Sequence, residues 1–195
     1  SFFSAVDLSQ AKGFGNFIPL ILSLSQNVSA NPPFQSTDPI LLFAQPLVMD
    51  MAHACLERNA ARISQTAEAL IGLGSGLTPS GDDFLGGMLF AINILQTAYL
   101  EWKAINHAVP IEAYQSRTHL ISFTLLKDNA SGHGIASLHQ IINDLLSGKS
   151  FESIYPSLSQ LTQVGHSTGW DLLTGLLTGM LIIGSDANLN SNVSV

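Results

Sequence analysis

The chain has 195 residues, of which 46% are hydrophobic and only 11% charged, against about 25% charged in an ordinary soluble domain. That balance excludes intrinsic disorder, which needs few apolar residues and much charge. The 7 Lys+Arg and 14 Asp+Glu leave a net charge of −7 with no basic cluster, which argues against a nucleic-acid surface.

The scarcity of charge suggests that part of the surface faces partner chains, so an oligomer or complex is expected. One cysteine, Cys55, excludes an internal disulfide and a multi-thiolate metal site. It reads as a small buried hydrophobe in a reducing, cytoplasmic compartment. No stretch reaches the ~18 uninterrupted apolar residues that span a bilayer. The longest, from Leu172 to Ile183, is broken by Thr174, Gly175, Thr178 and Gly179, and no membrane association is expected. Ser1 is not a methionine and no charged leader precedes the apolar residues, so an N-terminal part of the natural protein is expected to be missing.

Residues 1–36 form an N-terminal segment that reads poorly, with Ile18 to Leu24 as a short helix or a strand and Asn31 to Ser36 as a proline-containing loop. Residues 37–184 read as a helical domain. Asp38 followed by Pro39 has the form of an N-cap with proline at the first helical position. Helical spacing of apolar residues continues to Leu70, with Pro46 predicted to kink or split the helix. Further helices are predicted from Gly81 to Tyr99, Ile111 to Lys127, Ile135 to Leu146, Phe151 to Leu161 and Gly169 to Ile183. Residues 185–195 form a polar tail. No alternating run of β-branched residues is bounded by hairpin turns. The fold class is therefore mainly α.

A short motif occurs twice. Ser80-Gly-Asp-Asp-Phe-Leu-Gly-Gly87 and Thr168-Gly-Trp-Asp-Leu-Leu-Thr-Gly175 share Gly81/Gly169, Asp83/Asp171, Leu85/Leu173 and Gly87/Gly175. Each reads as a helix start, with Ser80 or Thr168 as the cap and Asp83 or Asp171 three residues on, a capping box with Asp in place of Glu. Glycine directly after a cap costs about 1 kcal/mol against alanine, so its double occurrence implies that something approaches the backbone too closely for a Cβ. The two motif helices are expected to cross near an internal pseudo-twofold axis and bring both N-termini to one cleft. Such a cleft suits a phosphate or a small carboxylate. Its expected binding groups are Gly74, Gly76, Thr78, Ser80, Gly81, Asp82, Ser167, Thr168 and Gly169, with Asp83, Asp171 and His166 as catalytic candidates. The alternative structural readings are ordinary capping for the Ser/Thr-x-x-Asp pattern and a solvated first-turn acid for Asp82. Gly72 to Gly76 has neither a Walker lysine nor dinucleotide-fingerprint spacing. No histidine pair has metal-ligand spacing. No cofactor is firmly implied, although Asp82, Asp83 and Asp171 would suit Mg²⁺ bound through water.

Ile71-Gly-Leu-Gly-Ser-Gly-Leu-Thr-Pro-Ser-Gly-Asp-Asp-Phe-Leu-Gly-Gly87 resembles the signature of a bacterial family, one branch of which is AllH, a subunit of oxamate carbamoyltransferase of allantoin breakdown. Gly165 to Gly175 resembles the family's second glycine-rich motif, and Thr118, Ser122, Ala130 and Gly132 a weaker central one. Ser75 stands where the family often has proline. The resemblance implies carbamoyl transfer between carbamoyl phosphate and oxamate, giving oxalurate and phosphate. Arg117 and Lys127 are the nearest cations by family pattern, and other subunits are expected to complete the site. Two other readings stand beside it: a non-catalytic small-anion or scaffold module, and a Mg²⁺-dependent hydrolase using Asp82, Asp83 and Asp171.

Overall fold

The computed structural model describes residues 7–25, 33–96, 105 and 107–183. The polar tail, residues 1–6, and the end of the helix expected to reach Tyr99 lie outside the described residues. Within them the fold is mainly α, with no strand. The helices are α1 (Ile18–Ser25), α2 (Pro39–Leu56), α3 (Ala60–Leu70), α4 (Ser80–Gln96), α5 (Leu120–Ala130), α6 (Ala136–Leu146), α7 (Phe151–Thr162) and α8 (Thr168–Met180). Short 3₁₀ turns cover Leu8–Gln10, Gly13–Phe17, Ile111–Arg117 and Leu181–Ile183.

The Asp38 carboxylate caps α2 as expected, accepting from the Ile40 amide at 2.8 Å. Pro46 does not split this helix. Both Pro46 and Leu42 are exposed, so the Leu42 carbonyl that proline cannot serve lies on the solvent side. The break comes instead at Glu57–Asn59, where Arg58 takes φ +54° and its guanidinium donates to the Ile182 carbonyl at 3.1 and 3.2 Å. The Asn59 side chain then caps α3 through the Arg62 amide. By length and a mean hydropathy of 1.4, α2 is apolar enough to cross a membrane. One face of it packs into the core, where Leu41, Ala44, Val48, Met51, Ala52, Ala54 and Cys55 are buried, and its Asp50 pairs with Arg62. Cys55 packs on Met88 at 3.9 Å, and burial pushes its thiol up to about 12. It is a hydrophobe here.

The helix expected from Ile111 to Lys127 is two elements, a 3₁₀ turn and α5, broken at extended Thr118 and His119. The stretch from Ile18 is the helix α1.

Helices α4 and α8 form the centre. Every residue from Gly81 to Ile92 and from Gly169 to Gly179 is buried, the mark of a helix covered on all sides. Glycine allows their close crossing. A Cβ at Gly87 would lie 2.8 Å from the Leu172 carbonyl carbon and closer still to its oxygen. A Cβ at Gly175 would meet the Phe84 carbonyl in the same way. The N-terminal segment completes the packing: Phe14 and Phe17 are fully buried, with Phe14 edge-on to Phe84 at 5.9 Å between ring centres.

Candidate functional site

Between α3 and α4 the chain turns through Ile71–Pro79, with Gly72, Gly74 and Gly76 at φ +76°, +125° and +91°. These left-handed values explain the glycine spacing of the first motif. The amides of the first turn of α4 are engaged within the loop. Gly81 donates to the Leu73 carbonyl at 2.8 Å, while Asp82 and Asp83 donate to that of Pro79 at 2.9 and 3.1 Å. In the second motif Gly169 donates to the Val164 carbonyl at 3.0 Å. The close approach implied by the two post-cap glycines is made by protein. Gly81 backs onto the Leu70 carbonyl at the end of α3, and Gly169 onto that of Leu161 near the end of α7.

Capping differs from expectation. Ser80 and Thr168 are the first residues of their helices, and Ser167, which precedes α8, makes no side-chain cap. Instead each motif reaches the other. Asp83 is engaged by the hydroxyls of Thr168 and Thr78, and Asp171 by those of Ser80 and Ser167. The Thr78 and Thr168 hydroxyls themselves lie 3.2 Å apart. The two first turns therefore meet through their side chains.

The three aspartates have different environments. Asp82, 2% exposed, is a clamp rather than a solvated acid: Oδ1 accepts from the Gly72 amide at 2.7 Å, and Oδ2 from the Ser122 hydroxyl at 2.6 Å and from Thr118. It ties the glycine loop to the start of α5. Asp83 is 6% exposed and Asp171 fully buried. Burial, chiefly, pushes Asp83 up to about 7 against the Thr168 and Thr78 hydroxyls, with Asp171 and Asp82 adding repulsion. Burial likewise raises Asp171 to about 6, opposed by the Phe14 amide, which donates to its Oδ1 at 2.6 Å. Oδ2 of each is buried without a hydrogen-bond partner. The segment that seals Asp171 was not legible as part of the site: Gly13 sits at φ +52°, and a Cβ there would collide with the Asp171 carboxylate.

A hollow of about 280 Å³ opens beside the first motif, lined by Gly72, Gly74, Pro79, Ser116, Arg117, Thr118 and His119. Arg117 forms part of that lining. The Arg117 carbonyl packs on Gly72, while its guanidinium reaches Glu68 at 3.2 Å and the Tyr114 ring. Ser167, Thr168 and Gly169 do not line this hollow, and Gly76 stands in the open with nothing near its Cα. His166 is exposed in the turn before α8. Lys127 borders a different hollow, with Asn93 and Gln96, and pairs with Glu112 at 2.6 Å. Among the described residues no three His, Cys, Asp or Glu side chains gather closely enough to hold a metal ion. That corrects the three-aspartate Mg²⁺ site, since Asp82 turns towards α5 while Asp83 and Asp171 face the crossing. The residues that sequence reasoning undervalued are Thr118 and Ser122. Their i, i+4 hydroxyls were visible, but nothing local tied them to Asp82.

The family model described as oxamate carbamoyltransferase subunit AllH matches residues 70–180, a span that holds both motifs and the hollow. No solved structure matches the chain.

Proposed function

Because the chain belongs to the AllH family of oxamate carbamoyltransferase subunits, we propose that it is one subunit of a carbamoyl-transfer enzyme and holds an anionic substrate in the hollow beside Arg117. The reading takes the reaction as carbamoyl phosphate with oxamate. The oxamate amide nitrogen attacks the carbamoyl carbon, the bond to the phosphate oxygen breaks, the nitrogen's proton passes to the departing phosphate, and oxalurate and phosphate leave. Charge develops on the carbamoyl oxygen and on the departing phosphate, and fixed donors and cations stabilise it.

The single observation that carries this reading is Arg117 beside Gly72 and Gly74 in one hollow, inside the matched span. In this reading Arg117 and the loop at Gly72 and Gly74 face the anion, while Gly76, Thr78 and Ser80 belong to the same loop and helix start without lining the hollow. Asp83 is the proton carrier nearest the loop, supported by Asp171. Ser167, Thr168, Gly169 and exposed His166 form the flank that a neighbouring chain would cover. One arginine is too little for a phosphate and a carboxylate together. Other subunits therefore supply further cations, in keeping with the low charge of this chain.

Oxalurate phosphorolysis by the reconstituted complex tests the proposal. Arg117→Ala lowers kcat/KM by about 10- to 100-fold, the worth of one charge-assisted hydrogen bond, while the melting temperature stays within about 2 °C. Full activity in that variant contradicts it. The exposed Arg117–Glu68 pair, at 42% and 58% side-chain exposure, favours a second reading in which the chain only presents the anion. In that case the partner subunits alone retain turnover at saturating substrate.

A further inference from the structure

We propose that the outer face of α2 is an interface between two copies of this chain, their α2 helices packed antiparallel across a twofold axis between Gln45 and Pro46. Helix α2 buries one face, through residues such as Ala44, Val48, Met51 and Cys55. On the opposite face stand Asp38, Leu42, Pro46, Met49 and His53, spaced by three or four so that they share one side of a helix. Leu42 is 50% exposed and its neighbour Phe43 61%. Asp38, Pro46 and His53 are exposed as well, and Met49 is half-buried. From Pro39 to Met49 no residue is charged, and Gln45 is the one polar side chain. A run of exposed apolar surface of this kind marks a contact site.

The groups at the two ends of the stripe say what covers it. An acid opens the stripe and a basic residue closes it. With the axis between Gln45 and Pro46, Asp38 meets His53 of the copy at each end, and Leu42 meets Met49 of the copy on either side of the axis. A parallel pair would instead set Asp38 against Asp38. Antiparallel order also lays the positive end of each helix dipole beside the negative end of the other. Asp38 commits Oδ1 to its cap on Ile40 and has a second oxygen to offer. Pro46 leaves the Leu42 carbonyl without its helical donor. In this register Gln45 of the copy lies opposite Pro46, where its side-chain amide can serve that carbonyl. The chain as a whole carries −7, so two copies meet with least repulsion through a face without net charge. The acids beside this face, Asp50 and Glu57, are both paired with Arg62. The contact is self-complementary, as a twofold interface requires. None of this depends on the carbamoyl-transfer reading.

Light scattering and sedimentation equilibrium of the full chain at about 10–100 μM test the proposal. We expect twice the mass of the chain. Leu42→Asp and Phe43→Asp should each weaken association by about 30-fold or more, as loss of a central contact does, while melting stays cooperative. His53→Asp, which sets acid against Asp38 of the copy, should weaken it by about 10-fold. His53→Lys should keep the dimer, because a cation still faces Asp38; its loss there would overturn the antiparallel order. A monomeric wild type overturns the proposal whether or not any variant folds, and so does a monomer that sediments with phosphatidylcholine vesicles. Aspartate variants that keep the wild-type mass overturn it too. So does loss of the dimer in Ile121→Asp, a comparably exposed apolar position on α5.

Discussion

Gly175 rests its Cα on the carbonyl of Phe84, and Gly87, one turn past Phe84, does the same to the carbonyl of Leu172. In the aligned motifs Phe84 matches Leu172 and Gly87 matches Gly175, so the contact is reciprocal. Each helix offers a bare Cα where the other offers a carbonyl.

Alanine at either glycine drives a methyl into backbone that cannot move without separating α4 from α8. Gly87→Ala and Gly175→Ala are each expected to cost about 3 kcal/mol, the upper range of overpacking, measured by urea unfolding. Gly148→Ala is the control: its Cβ would meet nothing within 4 Å at φ +64°, and it should cost only about 1 kcal/mol of backbone strain. Equal losses at all three positions would refute the crossing.

Asp82→Ala removes the acceptor for Gly72, Thr118 and Ser122 together. The expected loss is about 3 kcal/mol, since buried donors are left without partners. Phosphate binding should also weaken, because Gly72 and Thr118 line the hollow. Calorimetric titration with inorganic phosphate checks the second effect. Asp82→Asn, which retains one acceptor oxygen, should fall between wild type and alanine in both measurements.

Phe14→Ala tests whether the N-terminal segment belongs to the core. With the ring fully buried against Phe17 and Phe84, truncation should cost about 3–5 kcal/mol, read from the shift in urea midpoint. A loss below about 1 kcal/mol would mean that the segment merely lies on the surface.

Arg62 forks between Asp50 and Glu57 at 2.5 and 2.8 Å and joins α2 to α3, but about a third of it remains exposed. Its hydrogen bond holds Asp50 below the usual carboxylate range. Solvent screening keeps the worth of this network small. Arg62→Ala should lower the melting temperature slightly in dilute buffer and by less in about 1 M salt.

Most helices of the central and C-terminal parts were legible because their apolar spacing and the Asp38-Pro39 start are local signals, but the break at Thr118 and His119 was not. The duplicated motif was legible for the same reason. Pro46 misled, because whether proline breaks a helix depends on which side the orphaned carbonyl faces, and that is a tertiary fact. The surplus glycines did imply a close approach, but what approaches Gly81 and Gly169 is the carbonyl of a preceding helix. Nothing in either motif announces that Asp83 takes the hydroxyl of Thr168, or that Gly13 and Phe14 cover Asp171. Those contacts join residues far apart in the chain. Arg117 was found only through its place in the family pattern, since a lone arginine on an exposed turn carries no signal.

Amide chemical shifts during titration of the full chain with phosphate, and separately with oxamate, test the central claim most directly. The account predicts saturable shifts confined to Gly72–Ser80 and Ser116–Thr118, abolished by Arg117→Ala. Shifts centred elsewhere, or the same shifts surviving in Arg117→Ala, would contradict it.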